Sequence, residues 1–212
     1  MNSLLQNNIS FAANTADGIT LDNVSFLDKF SRYQLLEPEL LTDDCRLQEI
    51  YDLRLSVWED SGKSEFVNSK LYPNGWFDDL DQSAFHWIVT NDENKIVASA
   101  RLNIFNSLEE FPYYLSVKNF LLPGKMPFAF FSRLVVHPHY TQNKLSRKLF
   151  IARSKFCEER GIRWSKVFIN NPLIIQQFEK SGYMKIGQAN VTYHPCANPH
   201  PVNVFIKEID NF

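Results

Sequence analysis

Phe130-Phe-Ser-Arg-Leu-Val-Val-His-Pro-His-Tyr-Thr-Gln-Asn-Lys-Leu-Ser-Arg-Lys-Leu149 decides how this chain is read. It opens as a largely apolar run, the pattern of a buried strand, and breaks at His137-Pro138, where proline cannot donate a ladder hydrogen bond. A short polar loop comes next. The chain then re-enters as a basic helix with Leu145 and Leu149 one turn apart and Lys144, Arg147 and Lys148 around them. Such a junction aims the helix's first, unpaired N–H groups and the positive end of its dipole at one point beyond the strand. That is an anion site suited to a phosphate or diphosphate.

On either side, strands and helices alternate. The strand is expected over Phe128–Val136, and the helix over about Leu145 to Arg160, with Leu145, Leu149, Ala152 and Phe156 on one face and Gly161 to end it. Downstream come a short strand at 166–169 and a helix between Asn171-Pro172, an N-cap with proline at the first turn, and Ser181-Gly182. Strands at 183–188 and 202–209 close the chain. Upstream, 85–90 and 96–104 flank Asn91-Asp-Glu-Asn-Lys95 as an antiparallel hairpin. Residues 63–83 are a loop with a strong turn at Tyr72-Pro73-Asn74-Gly75. Asp43-Asp44 caps a helix striped by Leu47, Ile50, Tyr51, Arg54, Val57 and Trp58, and 31–36 is a first strand closed by Glu37-Pro38. Residues 1–30 form an N-terminal extension to one domain at 31–212. The fold class is α/β, in the α+β sense: a mixed central sheet of about six to seven strands flanked by about four helices.

Composition bounds the function. The chain has 212 residues, 44% of them hydrophobic and 22% charged, with a net charge of −2, so no bulk field favours nucleic acid or an anionic membrane. Three widely spaced cysteines without a C-x-x-C fit a reduced, cytoplasmic setting, and no apolar run is long enough to span a bilayer. Cys157 reads as a buried helix residue rather than a nucleophile. His194, Cys196 and His200 offer three metal-type ligands in seven residues, but two prolines and the lack of a fourth ligand favour a hairpin loop, so no metal is expected. The 18 phenylalanines, among them Phe105, Phe111 and Phe120, are read as core packing ahead of an acyl-chain pocket.

The order of these residues resembles the GNAT (Gcn5-related) N-acyltransferase superfamily. Leu134-Val-Val-His-Pro138 is similar to the strand end of that family, and Thr141-Gln-Asn-Lys-Leu-Ser146 occupies the place of its diphosphate loop, with Lys144 and Ser146 where glycines are usual. Asn171 to Gly182-Tyr183 resembles its second signature, but Phe178 replaces the tyrosine that in many members protonates the departing thiolate. The N-terminal half looks more like the acyl-homoserine-lactone synthase and N-acyl-amino-acid synthase branch, through Arg54, Trp58, Trp76, the acidic pair Asp79 and Asp81, Arg101 and Arg133. The likeness covers roughly residues 32–209.

What the resemblance implies is a GNAT fold and an N-acyltransferase. An acyl group, acetyl in the first instance, would move from acyl-CoA, or from an acyl-carrier protein, to a small amine by direct attack in a ternary complex. Leu134, Val135 and Val136 would pair with pantetheine; Gln142, Asn143, Lys144, Leu145, Ser146 and Arg147 would hold the diphosphate; Asn171 and Phe178 would complete the donor site. Arg54, Trp58, Trp76, Arg101 and Arg133 would face the acceptor. Asp79, Asp81 and His86 are the candidates to take the amine's proton. The alternative is a GNAT-fold protein that binds acyl-CoA or an acylated carrier without turnover. Monomer and homodimer are both compatible with the sequence.

Overall fold

The computed structural model describes residues 36–209 except 63, 66, 121–125 and 195–196. The expected extension at 1–30 and all but the last residue of the expected strand at 31–36 lie outside those residues. The first described strand is β1, Glu39–Leu40, just past Pro38. Asp43 caps a single 3-10 turn, its carboxylate accepting from Cys45 N, and the chain continues into α1, Leu47–Asp60. The hairpin forms as its spacing predicts, β2 at Phe85–Thr90 and β3 at Ile96–Phe105. After a one-turn α2 at Tyr114–Val117 come β4, Phe128–Val136, and α3, Leu145–Glu159. The rest is β5, Trp164–Ile169; α4, Pro172–Lys180; β6, Met184–Val191; and β7, His200–Glu208.

The seven strands make one mixed sheet, ordered β1-β2-β3-β4-β5-β7-β6. Every neighbouring pair is antiparallel except β4 and β5, whose connection is the right length for a helix, α3. Alternation divides the two faces. Trp87 of β2 packs with Leu149, Phe150 and Phe156 of α3, whereas the next residue, Ile88, packs with Ile50 and Leu53 of α1. The helices α1 and α3 therefore cover opposite faces. The phenylalanines behave as core: Phe111 meets Phe105, Phe128 and Phe130 at centroid distances of 5.2, 5.4 and 5.0 Å. Among the described residues no helix is long and apolar enough to cross a membrane.

Two local features interrupt this regular pattern, and the first is in β4. The ladder between β4 and β5 covers Phe128↔Trp164 to Phe131↔Val167, although β4 runs on to Val136 and β5 to Ile169, so the strands part beyond Phe131. On its other edge β4 keeps pairing with β3, but the register shifts between Ser99 and Arg101, opposite Val135 and Ser132. The extra residues make a bulge, and Arg133 within it takes φ 51°, a left-handed conformation that a side chain adopts only under constraint.

The turn at 72–75 is the second feature. Gly75 has φ 85°, and a Cβ placed on it would lie 2.7 Å from Tyr51 Cβ and 2.9 Å from an Asp52 carboxylate oxygen. This close approach lets Trp76 N donate to Tyr51 O at 3.0 Å and fixes Trp76 against α1. Gly75→Ala combines a left-handed alanine with a collision against the helix, and should lower unfolding free energy by about 2 kcal/mol or more in urea titrations.

Candidate active site

Where β4 and β5 part, the sheet opens into a cleft of about 310 Å³. Its walls include Phe131 to Val136 of β4 and Val167 to Ile169 of β5, and it extends to Ser146 at the start of α3 and Asn171 at the start of α4. Trp58, Trp76, Tyr113, Tyr193 and His200 bound it on the side of α1. Beyond Phe131 the edge of β4 that faces β5 offers backbone N–H and C=O groups to whatever enters.

The two helix starts at this cleft differ. At α4, Asn171 accepts from Leu173 N and Ile174 N, so a side chain already serves the first amides. At α3 the N-cap is Lys144, with no side-chain cap bond, and no acidic residue in the first turn. Arg147 N donates to Lys144 O at 3.0 Å, but the amides of Leu145 and Ser146 have neither a capping side chain nor a neighbouring carboxylate, which is the condition for receiving an anion. Lys144 itself has φ 55°, the left-handed region, which explains physically why glycine suits this position; it and Arg147 are exposed. Gln142 and Asn143 are exposed in the 3-10 turn before it, while the side chain of Leu145 is buried in the core, leaving only its backbone for a ligand. Lys148 is drawn elsewhere, donating to Leu36 O at 2.9 Å and pairing with Glu37 at 2.7 Å.

Leu134, Val135, Val136, Ser146, Asn171 and Phe178 all line the cleft, as do Trp58, Trp76, Arg101 and Arg133. Arg54 does not. It lies fully buried beneath, with Nη1 2.8 Å from Asp81 Oδ1. The same oxygen lies 3.0 Å from Arg101 Nη1, which is also 2.5 Å from Asp78 Oδ1. Asp78 Oδ2 accepts from Arg133, whose guanidinium stacks 3.9 Å above Trp76. Three guanidinium groups thus share two carboxylates, leaving one positive charge in excess. Burial opposes ionisation of Asp78 and Asp81, but the arginines overcome it and hold both below the usual carboxylate range. Burial lowers Arg54 to about 10, which leaves it charged at neutral pH.

The acid–base candidates do not reach the cleft. Asp79 is exposed on the outer side of a 3-10 turn, and Asp81 and His86 belong to the buried cluster; none of the three lines the opening. All three border a separate hollow with Tyr51 and Phe77. His86 accepts from Arg54 at 3.3 Å through Nδ1, so its proton is on Nε2 and faces Asp81 O, also at 3.3 Å. Burial and Arg54 push its pKa down, keeping it neutral. The expectation placed Asp79, Asp81 and His86 where a proton is abstracted; the structure sets all three apart from this cleft, with Asp81 and His86 bonded within the buried cluster.

The residue the acidic pair omitted is Asp78. Its side chain accepts from Leu80 N while Asp81 accepts from Asp78 N at 2.9 Å, a reciprocal cap that turns positions 78 and 81 inward and 79 outward. An acid three residues ahead of another was the signal. Ser132, Tyr113, Tyr193, His200 and Arg153 also line the cleft and carry no motif. His200 is held by Asn170, whose Oδ1 accepts from Asn203 N at 3.0 Å, leaving Nδ2 to approach His200 Nε2 at 3.2 Å. Cys157 is buried, its thiol pushed up to about 12. Among the described residues no His, Cys, Asp and Glu group is placed to hold a metal; Cys196 lies outside them.

The ion cluster makes stability depend on acid. Depressed folded pKa values at Asp78, Asp81 and His86 mean stability that is present above the unfolded values and lost as pH falls through them. Unfolding free energy should therefore decline from about pH 6.5 and more steeply below about pH 4. Asp81→Asn should cost about 3 kcal/mol at pH 7, by stranding Arg54, and flatten the steep limb in denaturant titrations across pH.

The fold is similar to that of FeeM, an N-acyl amino acid synthase from uncultured soil microbes, with a TM-score of 0.60 and 14% identity over 81% of this chain and 90% of that one. It is similar to the CoA-dependent acyl-homoserine lactone synthase BjaI, with a TM-score of 0.57 and 14% identity over 79% and 77%. A GNAT acetyltransferase from Staphylococcus aureus Mu50 gives a TM-score of 0.54 and 12% identity over 82% and 99%. No curated protein matches the chain by sequence. The sequence model of the Acetyltransferase (GNAT) family matches residues 47–183, from the start of α1 to just past α4, and the chain belongs to that family.

Proposed function

We propose that this protein is an N-acyltransferase that moves an acyl group from an acyl-CoA to a small amine. The observation that carries the reading is the conjunction at one cleft of parted strands and an uncapped, acid-free helix start. In this reading the amides of Lys144, Leu145 and Ser146 hold the CoA diphosphate, assisted by the side chains of Lys144 and Arg147. The free edge of β4 from Ser132 to Val136 pairs with pantetheine as an added strand, which brings the thioester beside the bulge at Arg133.

The acceptor enters from the side of Trp58, Trp76, Tyr113 and Tyr193. Its neutral nitrogen attacks the thioester carbonyl carbon, a C–N bond forms, and the C–S bond breaks to release CoA thiolate. A backbone N–H of β4 steadies the oxyanion, which leaves side-chain identity free there. His200 Nε2 already accepts from Asn170 Nδ2, so the nitrogen's proton passes to solvent, and the thiolate recovers a proton from solvent. The likeness of fold to an N-acyl amino acid synthase and an acyl-homoserine lactone synthase supports an amine acceptor, and makes an acylated carrier protein the second donor to test. The cytoplasm, where acyl-CoA is made and used, is the compartment this reading requires.

A second reading, binding without turnover, rests on Phe178. It lines the cleft where many relatives keep a phenol, and its ring packs on Phe150 and Tyr183 at 4.9 and 4.8 Å with no proton to offer. Titration with CoA and acyl-CoAs, then a free-thiol release assay over a panel of amines, separates the two: release supports the enzyme, binding without release the sensor.

One variant sharpens the test. Ser146→Glu puts a carboxylate where phosphate should lie and is expected to weaken CoA binding more than tenfold, about 1.4 kcal/mol, by calorimetry; unchanged affinity would remove the diphosphate from this corner.

A further inference from the structure

Arg153 has no use in the acyl transfer chemistry. It lies on the inward face of α3, 1% exposed, and lines the cleft, its guanidinium stacking 4.6 Å from the ring of Phe131, the last β4 residue still paired with β5. Its Nε donates to Leu149 O at 3.1 Å and Nη1 to Arg101 O at 3.2 Å. Nη2 is buried and has no hydrogen-bond partner among the described residues. Among the described residues no carboxylate acts on the group; the ionisable neighbours that do are Tyr183 and Cys157, both neutral at physiological pH. Burial lowers its pKa, but only to about 10, so it carries its charge at pH 7.

A buried arginine normally has a carboxylate beside it, because an unpaired charge in a low-dielectric site is costly and stacking on one ring offsets only part of that. Here one nitrogen ties α3 to the sheet, a second turns back to the helix's own Leu149, and the third is left unmatched in a residue that lines the cleft. The ion cluster on the other face adds a surplus positive charge of its own, so nothing among the described residues neutralises this part of the cleft. A simple alkyl chain would leave the charge as it is. A carboxylate would complete the guanidinium's hydrogen bonds and cancel its charge.

We propose that Arg153 receives a carboxylate that the ligand carries into the cleft. This rests on the acyl-CoA reading of the cleft. Arg153 is seven residues from Ser146 on the same helix, about 10 Å further in along its axis, and on the donor's face of the sheet. That position makes the far end of the acyl group the first source of the carboxylate, so the transferred group is a dicarboxylic acid's half-thioester rather than a plain alkanoyl; the carboxylate of an amino-acid acceptor is the other source.

Calorimetry on the full chain tests this with two thioesters of equal length, succinyl-CoA and butyryl-CoA, and, in the presence of CoA, with phenylalanine against 2-phenylethylamine. The expected result is that succinyl-CoA binds at least tenfold more tightly than butyryl-CoA, and that Arg153→Met brings the two within about twofold while leaving butyryl-CoA unchanged. Arg153→Lys, which keeps the charge, should retain part of the preference. An Arg153-dependent preference confined to the amino acid would support the site and assign the carboxylate to the acceptor. Equal affinities within both pairs in the wild-type protein, which needs no variant to fold, would overturn the inference, as would a preference that survives Arg153→Met. Butyryl-CoA binding without any carboxylate preference leaves the acyltransferase reading standing and removes this one; failure of every CoA compound to bind removes both.

Discussion

The structure depends on hydrogen bonds that β4 and β5 stop making. Four residue pairs hold the two strands in parallel, and beyond Phe131 and Val167 they diverge while each remains bonded to its other neighbour, β3 or β7. A row of backbone donors and acceptors in the middle of a sheet is expensive to leave unmatched. It persists because the strands are fixed from outside: α3 and α1 clamp β4 from the two faces, and the bulge bends its end away from β5. The cleft is thus a property of the backbone, and side chains decorate it.

The bulge in turn rests on the buried charges. Arg133 keeps a left-handed backbone while its guanidinium is held between the rings of Trp76 and Tyr193 and bonded to Asp78. Asp78 is itself fixed by the 3-10 turn it caps and by Arg101. Such ion clusters are poor sources of net stability, since desolvation consumes much of the attraction. What they supply is placement: a single carboxylate joins a loop, β3 and β4 at defined distances. The same reasoning explains why Asp81 and His86, which look like a catalytic pair in sequence, are better suited to orientation. Their polar atoms are already committed to Arg54 and Arg101, and burial keeps His86 neutral.

Much of the fold was legible because period and punctuation agreed. Apolar alternation around a polar turn marked β2 and β3, and Asn171-Pro172 with Ser181-Gly182 bracketed α4 within a residue. Arg54 was recognisable as a cation on an apolar stripe in need of a carboxylate, and Asp81 provides it. The site was only partly legible. Asp79 and Asp81 share the alternation of a strand, but the segment is a 3-10 turn, in which positions three apart coincide, so the inward pair is 78 and 81. His200 and Arg153 could not be assigned from spacing, because their meeting at the cleft depends on β7 crossing beside β5 and on which way α3 faces. Contacts made over such separations leave no local pattern.

The bulge has one more effect, on parity. Before Arg133 it is the odd residues of β4, Ala129 and Phe131, that join the core under α3; after it, the even ones, Leu134 and Val136, do so, while Val135 turns to α1. One strand therefore carries two alternation phases joined at a skipped beat. Ser132 and Arg133, adjacent in sequence, both serve the same side, and an apolar run that looks uniform on paper is divided between a half that builds the sheet and a half that lines the opening.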